Sequence, residues 1–128
     1  MQTDTRRLMP GDIFFALKGE TYNGNAYAEK AIHAGAAYAV IDEKEFEIPG
    51  KTILVEHTLE TLQQLAGFHR QKFTIPVLAI TGSNGKTTTK ELIHAVLSST
   101  LKTYTTEGNL NNQIGIPVTL LRIKPDAD

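Results

Sequence analysis

Val77-Leu78-Ala79-Ile80-Thr81-Gly82-Ser83-Asn84-Gly85-Lys86-Thr87-Thr88 decides the fold. Four consecutive apolar residues predict a buried strand, and Gly82 and Gly85 predict a tight turn directly after it. Glycine lets the backbone turn its N–H groups inward, where they can face phosphate oxygens. A helix starting near Lys86 adds its positive end at the same place. Lys86 then supplies a mobile full charge for outer phosphates, and the Thr87 hydroxyl suits Mg²⁺. Gly82 sits closer to Gly85-Lys86 than the general G-x-x-x-x-G-K-T spacing requires, so the loop is a shortened form. A plain Gly-Asn turn between a strand and a helix is the simplest alternative. The Gly-Lys-Thr ending in a strand–loop–helix context argues against it.

Outward from the loop, Glu91 to Leu101 reads as the helix that follows and Lys102 to Thr105 as another strand. Upstream, Ile75 to Ile80 forms the strand entering the loop. Thr58 to Phe73 reads as a helix with Leu59, Leu62, Leu65, Ala66 and Phe68 on one face and Thr58 as its N-cap. Gly11 to Leu17, Ala37 to Ile41 and Thr52 to Val55 predict three further strands. Ala26 to Ala34 predicts a helix closed by Gly35 as a left-handed cap. Alternating strands and helices predict an α/β fold with a largely parallel sheet. A boundary falls near Thr74-Ile75-Pro76, giving residues 1–74 as a small α/β domain and 75–128 as the start of a second, phosphate-loop domain. The second unit has too few strands to cover its helices, so the chain is expected to be a fragment of a longer protein.

The bulk properties limit the partners. A formal net charge of −1 over 128 residues provides no global field for nucleic acid or an anionic membrane. Any bound anion must be held by a few placed groups. The absence of cysteine excludes disulfides and thiolate metal sites and is compatible with a reducing cytosol. No apolar run has the length of a signal peptide or a membrane span, so a soluble, monomeric, cytoplasmic protein is expected. His33, His57, His69 and His94 lack metal-ligand spacing, and Glu43, Glu45 and Glu47 around Lys44 read as a solvated loop.

The shortened loop Thr81-Gly82-Ser83-Asn84-Gly85-Lys86-Thr87-Thr88 resembles the ATP loop of the Mur ligase family. Two other segments carry the same resemblance. Asp4-Thr5-Arg6, Pro10 to Glu20, Tyr22 to Tyr27 and Ala34-Gly35-Ala36 together resemble the N-terminal domain that grips the UDP end of the substrate in two members of that family. Where those members show D-G-H-x-F, this chain has Asn23-Gly24-Asn25-Ala26-Tyr27. Thr106 to Leu121, with Gly108-Asn109-Leu110-Asn111-Asn112-Gln113-Ile114-Gly115-Ile116-Pro117, resembles the Asn-rich stretch of the member that adds the terminal dipeptide.

The resemblance implies an ATP- and Mg²⁺-dependent ligase. Such an enzyme phosphorylates a carboxylate of UDP-N-acetylmuramoyl-tripeptide, and the amine of D-alanyl-D-alanine attacks the acyl phosphate. It further implies Lys86 as the catalytic residue, Thr87 as a metal ligand, and Gly82, Ser83, Asn84, Gly85, Lys86, Thr87, Thr88, Asn109, Asn111 and Asn112 around the nucleotide. Thr5, Arg6, Lys18, Asn23 and Asn25 are implied as substrate contacts. The Mg²⁺ carboxylate, a modified lysine and the dipeptide site are implied to lie outside this chain. Two alternatives stay open: the third-residue-adding muramyl peptide ligase, and a non-catalytic module that binds a UDP-sugar or a nucleotide. Asn at such loop positions also serves simply as a turn or helix cap.

Overall fold

The structure, a computed structural model, describes residues 1–108 and 110–128; the predicted nucleotide contact at Asn109 lies outside the described residues. The chain divides into two compact units, Met1–Gln64 and Leu65–Asp128.

The first unit is built on a parallel three-stranded sheet, ordered β1 (Ile13–Phe15), β2 (Tyr38–Ile41) and β3 (Thr52–Leu54). Helix α1 (Ala28–His33) lies between β1 and β2 in sequence, as a parallel pair requires. Phe14 faces Ala39 and Val40 faces Ile53 in the register. Alternate side chains point to opposite sides. Phe14, Ala16, Ala39 and Ile41 therefore share one side and pack with Ala28, Ala31 and Ala36 in the core. Phe15, Leu17 and Val40, on the other alternation, are equally buried. Small residues on α1 bring its backbone close to the sheet, and each buried Phe contributes about 1.5–3 kcal/mol.

Two predicted elements are shorter than expected, for local reasons. The Gly11–Leu17 strand pairs only over Ile13–Phe15. It follows a turn in which the Asp12 N–H donates to the Met9 carbonyl, and it ends where the Leu17 N–H folds back onto the Phe15 carbonyl. The Ala26–Ala34 helix is a 3₁₀ turn over Gly24–Tyr27 that becomes α-helical at Ala28. Its C-terminus closes as expected: Gly35 has φ 103°, the Ala36 N–H donates to Ala31 and the Gly35 N–H to Ile32.

Helix α2 spans Thr58–Arg70. Thr58 is not its N-cap; the His57 carbonyl accepts the Thr61 N–H, and the Asp42 carboxylate accepts the Thr58 N–H at 3.3 Å. The buried stripe of α2 is narrower than predicted, because Leu62 and Ala66 are buried while Leu65 and Phe68 are exposed.

In the second unit, α3 spans Lys86–Leu97 and α4 spans Gly115–Leu120. The predicted strands Ile75–Ile80 and Lys102–Thr105 form no ladder among the described residues. A strand of a parallel sheet exists only through its neighbours, and Val77 and Leu78 stand 60% and 65% exposed. Helix α3 starts at Lys86, as the loop reading expects, so the Glu91–Leu101 stretch covers only its later part, and none of its residues is buried. Among the described residues no helix is long and apolar enough to cross a membrane.

Candidate functional site

Two places gather the polar residues. The first is the loop before α3. Gly82 and Gly85 have φ of 146° and 78°, a region that disfavours any residue with a Cβ. Gly85 is the N-cap position of α3, and its carbonyl accepts the first helical bond, from the Thr89 N–H at 2.9 Å. The N–H groups of the first turn therefore have no intrahelical carbonyl to reach. The Lys86 ammonium donates to the Gly82 carbonyl and, at 3.5 Å, to that of Ser83. Ser83, Asn84, Thr87 and Thr88 are exposed around it. Open N–H groups, a positive helix end, a cation and a hydroxyl form a donor set that fits a polyphosphate.

Lys86 and Thr87 line a cavity of about 540 Å³ together with Lys90, Gly108 and Asn111. Asn111 thus lines the same cavity as the start of α3. Asn112 is used differently: its Oδ1 accepts the N–H groups of Ile114 at 3.2 Å and Gly115 at 2.8 Å, capping α4. For Mg²⁺ the fit is partial. Thr87 offers a hydroxyl, but no three His, Asp or Glu side chains converge among the described residues.

The second place is a cleft of about 500 Å³ in the N-terminal unit, lined by Asp4, Thr5, Arg6, Tyr22, Tyr27 and Lys30 among others. Asp4 caps the short turn Thr5–Arg7 by accepting the Arg6 N–H. The same carboxylate is gripped by the Arg6 guanidinium, with Nη2–Oδ2 at 2.7 Å and Nε–Oδ1 at 3.0 Å. That fork holds the Asp4 carboxyl down at about 2. Tyr22 and Tyr27 expose about half of their surface, so aromatic faces and two cations share one opening.

Lys18, Asn23 and Asn25 do not line this cleft. Asn25 is fully buried, and its amide is used up inside the protein: Nδ2 donates to Asn23 Oδ1 at 2.9 Å and Asp42 Oδ1 at 2.8 Å, and Oδ1 accepts the Asp42 N–H at 3.0 Å. Asn23 donates to Glu43 Oε2, and the Lys18 ammonium bridges Asp42 and Glu43 at 2.9 and 2.7 Å. The Thr58 hydroxyl ties the same carboxylate to the Ala16 carbonyl. Burial pushes the Asp42 carboxyl up, but the bonds from Lys18, Asn25 and Thr58 outweigh it and leave it below its ordinary value. The expectation that Asn25 contacts a ligand gives way to a knot that locks strand exit, loop and α2 together.

Glu43 reads in the sequence as part of a solvated loop but is tied into that knot, and sequence reasoning gives Asp42, Tyr22, Tyr27 and Lys30 no individual role. The two tyrosines flank Asn23-Gly24-Asn25, and an aromatic pair around a Gly-Asn loop was the available signal.

Fold and loop together define a phosphate-loop protein of the α/β class. Residues 1–70 match the family described as "Mur ligase family, catalytic domain", and residues 80–128 match "Mur ligase middle domain". The chain belongs to the Mur ligase family. Among its relatives, a UDP-N-acetylmuramoyl-tripeptide--D-alanyl-D-alanine ligase of Synechocystis is 50% identical across 98% of this chain and 28% of its own length. Proteins of the same name from Bacillus subtilis and Escherichia coli are 43% and 44% identical. Two solved structures resemble the fold. MurF from Acinetobacter baumannii matches with TM-score 0.88 and 35% identity over 98% of this chain and 28% of its own. MurF ligase from Thermotoga maritima in complex with ADP matches with TM-score 0.84 and 30% identity over 98% of this chain and 29% of its own. The chain thus spans a little over a quarter of the length of the curated relatives it matches.

Proposed function

We propose that this chain is the N-terminal part of a cytoplasmic, monomeric, ATP-dependent ligase that joins D-alanyl-D-alanine to UDP-N-acetylmuramoyl-tripeptide. The observation that carries the reading is that relatives bearing this name align with 98% of the chain, across both the cleft and the phosphate loop. On this reading residues 1–74 bind the UDP end of the substrate and residues 75–128 open the ATP-binding domain. A relative whose structure holds ADP supports the nucleotide assignment.

The geometry supports the following roles. The backbone N–H groups of Gly82 to Thr88 and the start of α3 bind the phosphates, with Asn111 beside them. Lys86 exchanges the Gly82 and Ser83 carbonyls for an outer phosphate, and Thr87 contributes one ligand to Mg²⁺. These groups act by positioning the transferring phosphoryl group and stabilising its charge. When bound, ATP supplies the phosphoryl group that activates the substrate carboxylate for amide formation. In the cleft, Tyr22 and Tyr27 suit a flat base, and Arg6, Lys30 and Thr5 suit a diphosphate.

The test is ADP release by the full-length protein with UDP-N-acetylmuramoyl-tripeptide and D-alanyl-D-alanine, omitting each in turn. Release should need both, and Lys86→Ala should lower kcat by about 10²-fold or more. Release that instead needs UDP-N-acetylmuramoyl-dipeptide and a diamino acid would make the protein the third-residue-adding ligase. Nucleotide binding with no release under any condition would leave only a binding module.

A further inference from the structure

Lys90 stands four residues after Lys86, so the two lysines share one stripe of α3. Their ammonium groups serve different ends. Lys86 turns back to its own loop, whereas Lys90 crosses to another segment. Its Nζ donates to the Thr106 carbonyl at 2.5 Å and the Gly108 carbonyl at 2.7 Å, and it pairs with Glu91 Oε1 at 2.9 Å. An ammonium has three donors, and here each has an acceptor. The side chain is 14% exposed. Lys90 is therefore not a spare cation waiting for an anion.

What it holds is the turn that opens the Asn-rich segment. The Leu110 N–H closes that turn onto the Glu107 carbonyl at 3.0 Å, and Arg122 pairs with Glu107. At the far end Asn112 caps α4. Asn111 lies between these anchors and lines the same cavity as Lys86 and Thr87. Removing the Lys90 contacts would release the near end from α3 and leave it the exposed Glu107–Arg122 pair, while the far end stays fixed to α4.

We infer that Lys90 is a positioning residue, a cationic clamp that fixes the turn at Thr106 and Gly108 to the helix carrying Lys86 and Thr87 and so places Asn111 for nucleotide binding. This rests on the nucleotide-binding reading above. Loss of a group that orients a ligand-binding residue costs about tenfold or more in affinity.

The experiment is a double-mutant cycle in the full-length protein, with calorimetric binding of ATP in Mg²⁺ and the KM of each substrate. The variants are Lys90→Met, Lys90→Arg, Asn111→Ala and the Lys90→Met/Asn111→Ala pair. Lys90→Met should weaken ATP binding about tenfold and raise the KM for ATP alone, with Lys90→Arg recovering part of the loss. Asn111→Ala should cost little more once Lys90 is gone, because coupled residues are non-additive. If Lys90→Met does not fold, Lys90→Gln replaces it in the cycle. A wild type that binds ATP, with the two losses multiplying or all KM values rising together, overturns the clamp and leaves the ligase reading standing. A wild type that binds no ATP overturns both.

Discussion

A Cβ on Gly24 would lie 2.3 Å from the Leu17 carbonyl oxygen and 2.7 Å from backbone atoms of Ala16 and Leu17. The Gly24 N–H donates to that same carbonyl at 2.9 Å, so the approach is part of the pairing and not slack. Backbone cannot move aside as a side-chain tip can, and Gly24→Ala should destabilise the protein by about 1–3 kcal/mol in denaturant unfolding. An unchanged midpoint would mean the loop relaxes freely. Asp42 makes a sharper case, because its carboxylate collects donors from Lys18, Asn25 and Thr58. Asp42→Asn would turn an amide N–H₂ toward those donors and should cost about 2–3 kcal/mol at neutral pH. The folded carboxyl sits below its ordinary value of 3.8. Its contribution is therefore complete above 3.8 and is lost as pH falls through the lower, folded value. Unfolding curves recorded down the acid limb should show a decline in the wild type that Asp42→Asn flattens. Parallel curves for both proteins would place the acid sensitivity elsewhere.

Among the elements, α4 starts on a turn held by one side chain two residues before its N-cap position, Ile114. Asn112 Oδ1 accepts two N–H groups at its start, and the Asn112 carbonyl accepts the Ile116 N–H. Asn112→Ala should cost about 1 kcal/mol and Asn112→Asp should retain the cap, both read from thermal unfolding. Equal losses in the two variants would assign Asn112 to something other than capping. Elements whose signals are local were legible in the sequence. Gly35 closes α1 because only its own turn decides the matter, and the loop at Gly82 to Thr88 was readable for the same reason. Thr58 reads as a cap in the sequence, but the acceptor for its N–H is Asp42, which the fold brings in from just beyond β2. The candidate site residues divide the same way in where the fold puts them. Thr5 and Arg6 reach the cleft through a local turn, while Asn25 was drawn into a core network by partners 17 residues away. No spacing rule carries that information.

At the scale of the whole molecule the two units differ in how far their strands find partners within this chain. In the first, the Ala16 N–H donates to Val40 and the Ala39 N–H to Lys51, so all three strands find partners within the unit. In the second, Ile75 to Ile80 has strand composition but no ladder, and Leu92 and Val96 on α3 are 64% and 70% exposed. Apolar surface on that scale marks a face made to be covered. If residues 75–128 open a larger domain, as proposed, the missing partners are strands and helices of that domain. Hydrogen exchange separates the two units cleanly, since protection follows backbone pairing and burial. Amides of Ala16 and Ala39 should be protected both in the 128-residue chain and in the full-length protein. Amides of Val77 to Ile80 should exchange fast in the 128-residue chain and become protected only in the longer protein. Equal protection in both would mean that this stretch already has its neighbours within the chain, and that the second unit is a finished fold rather than the beginning of one.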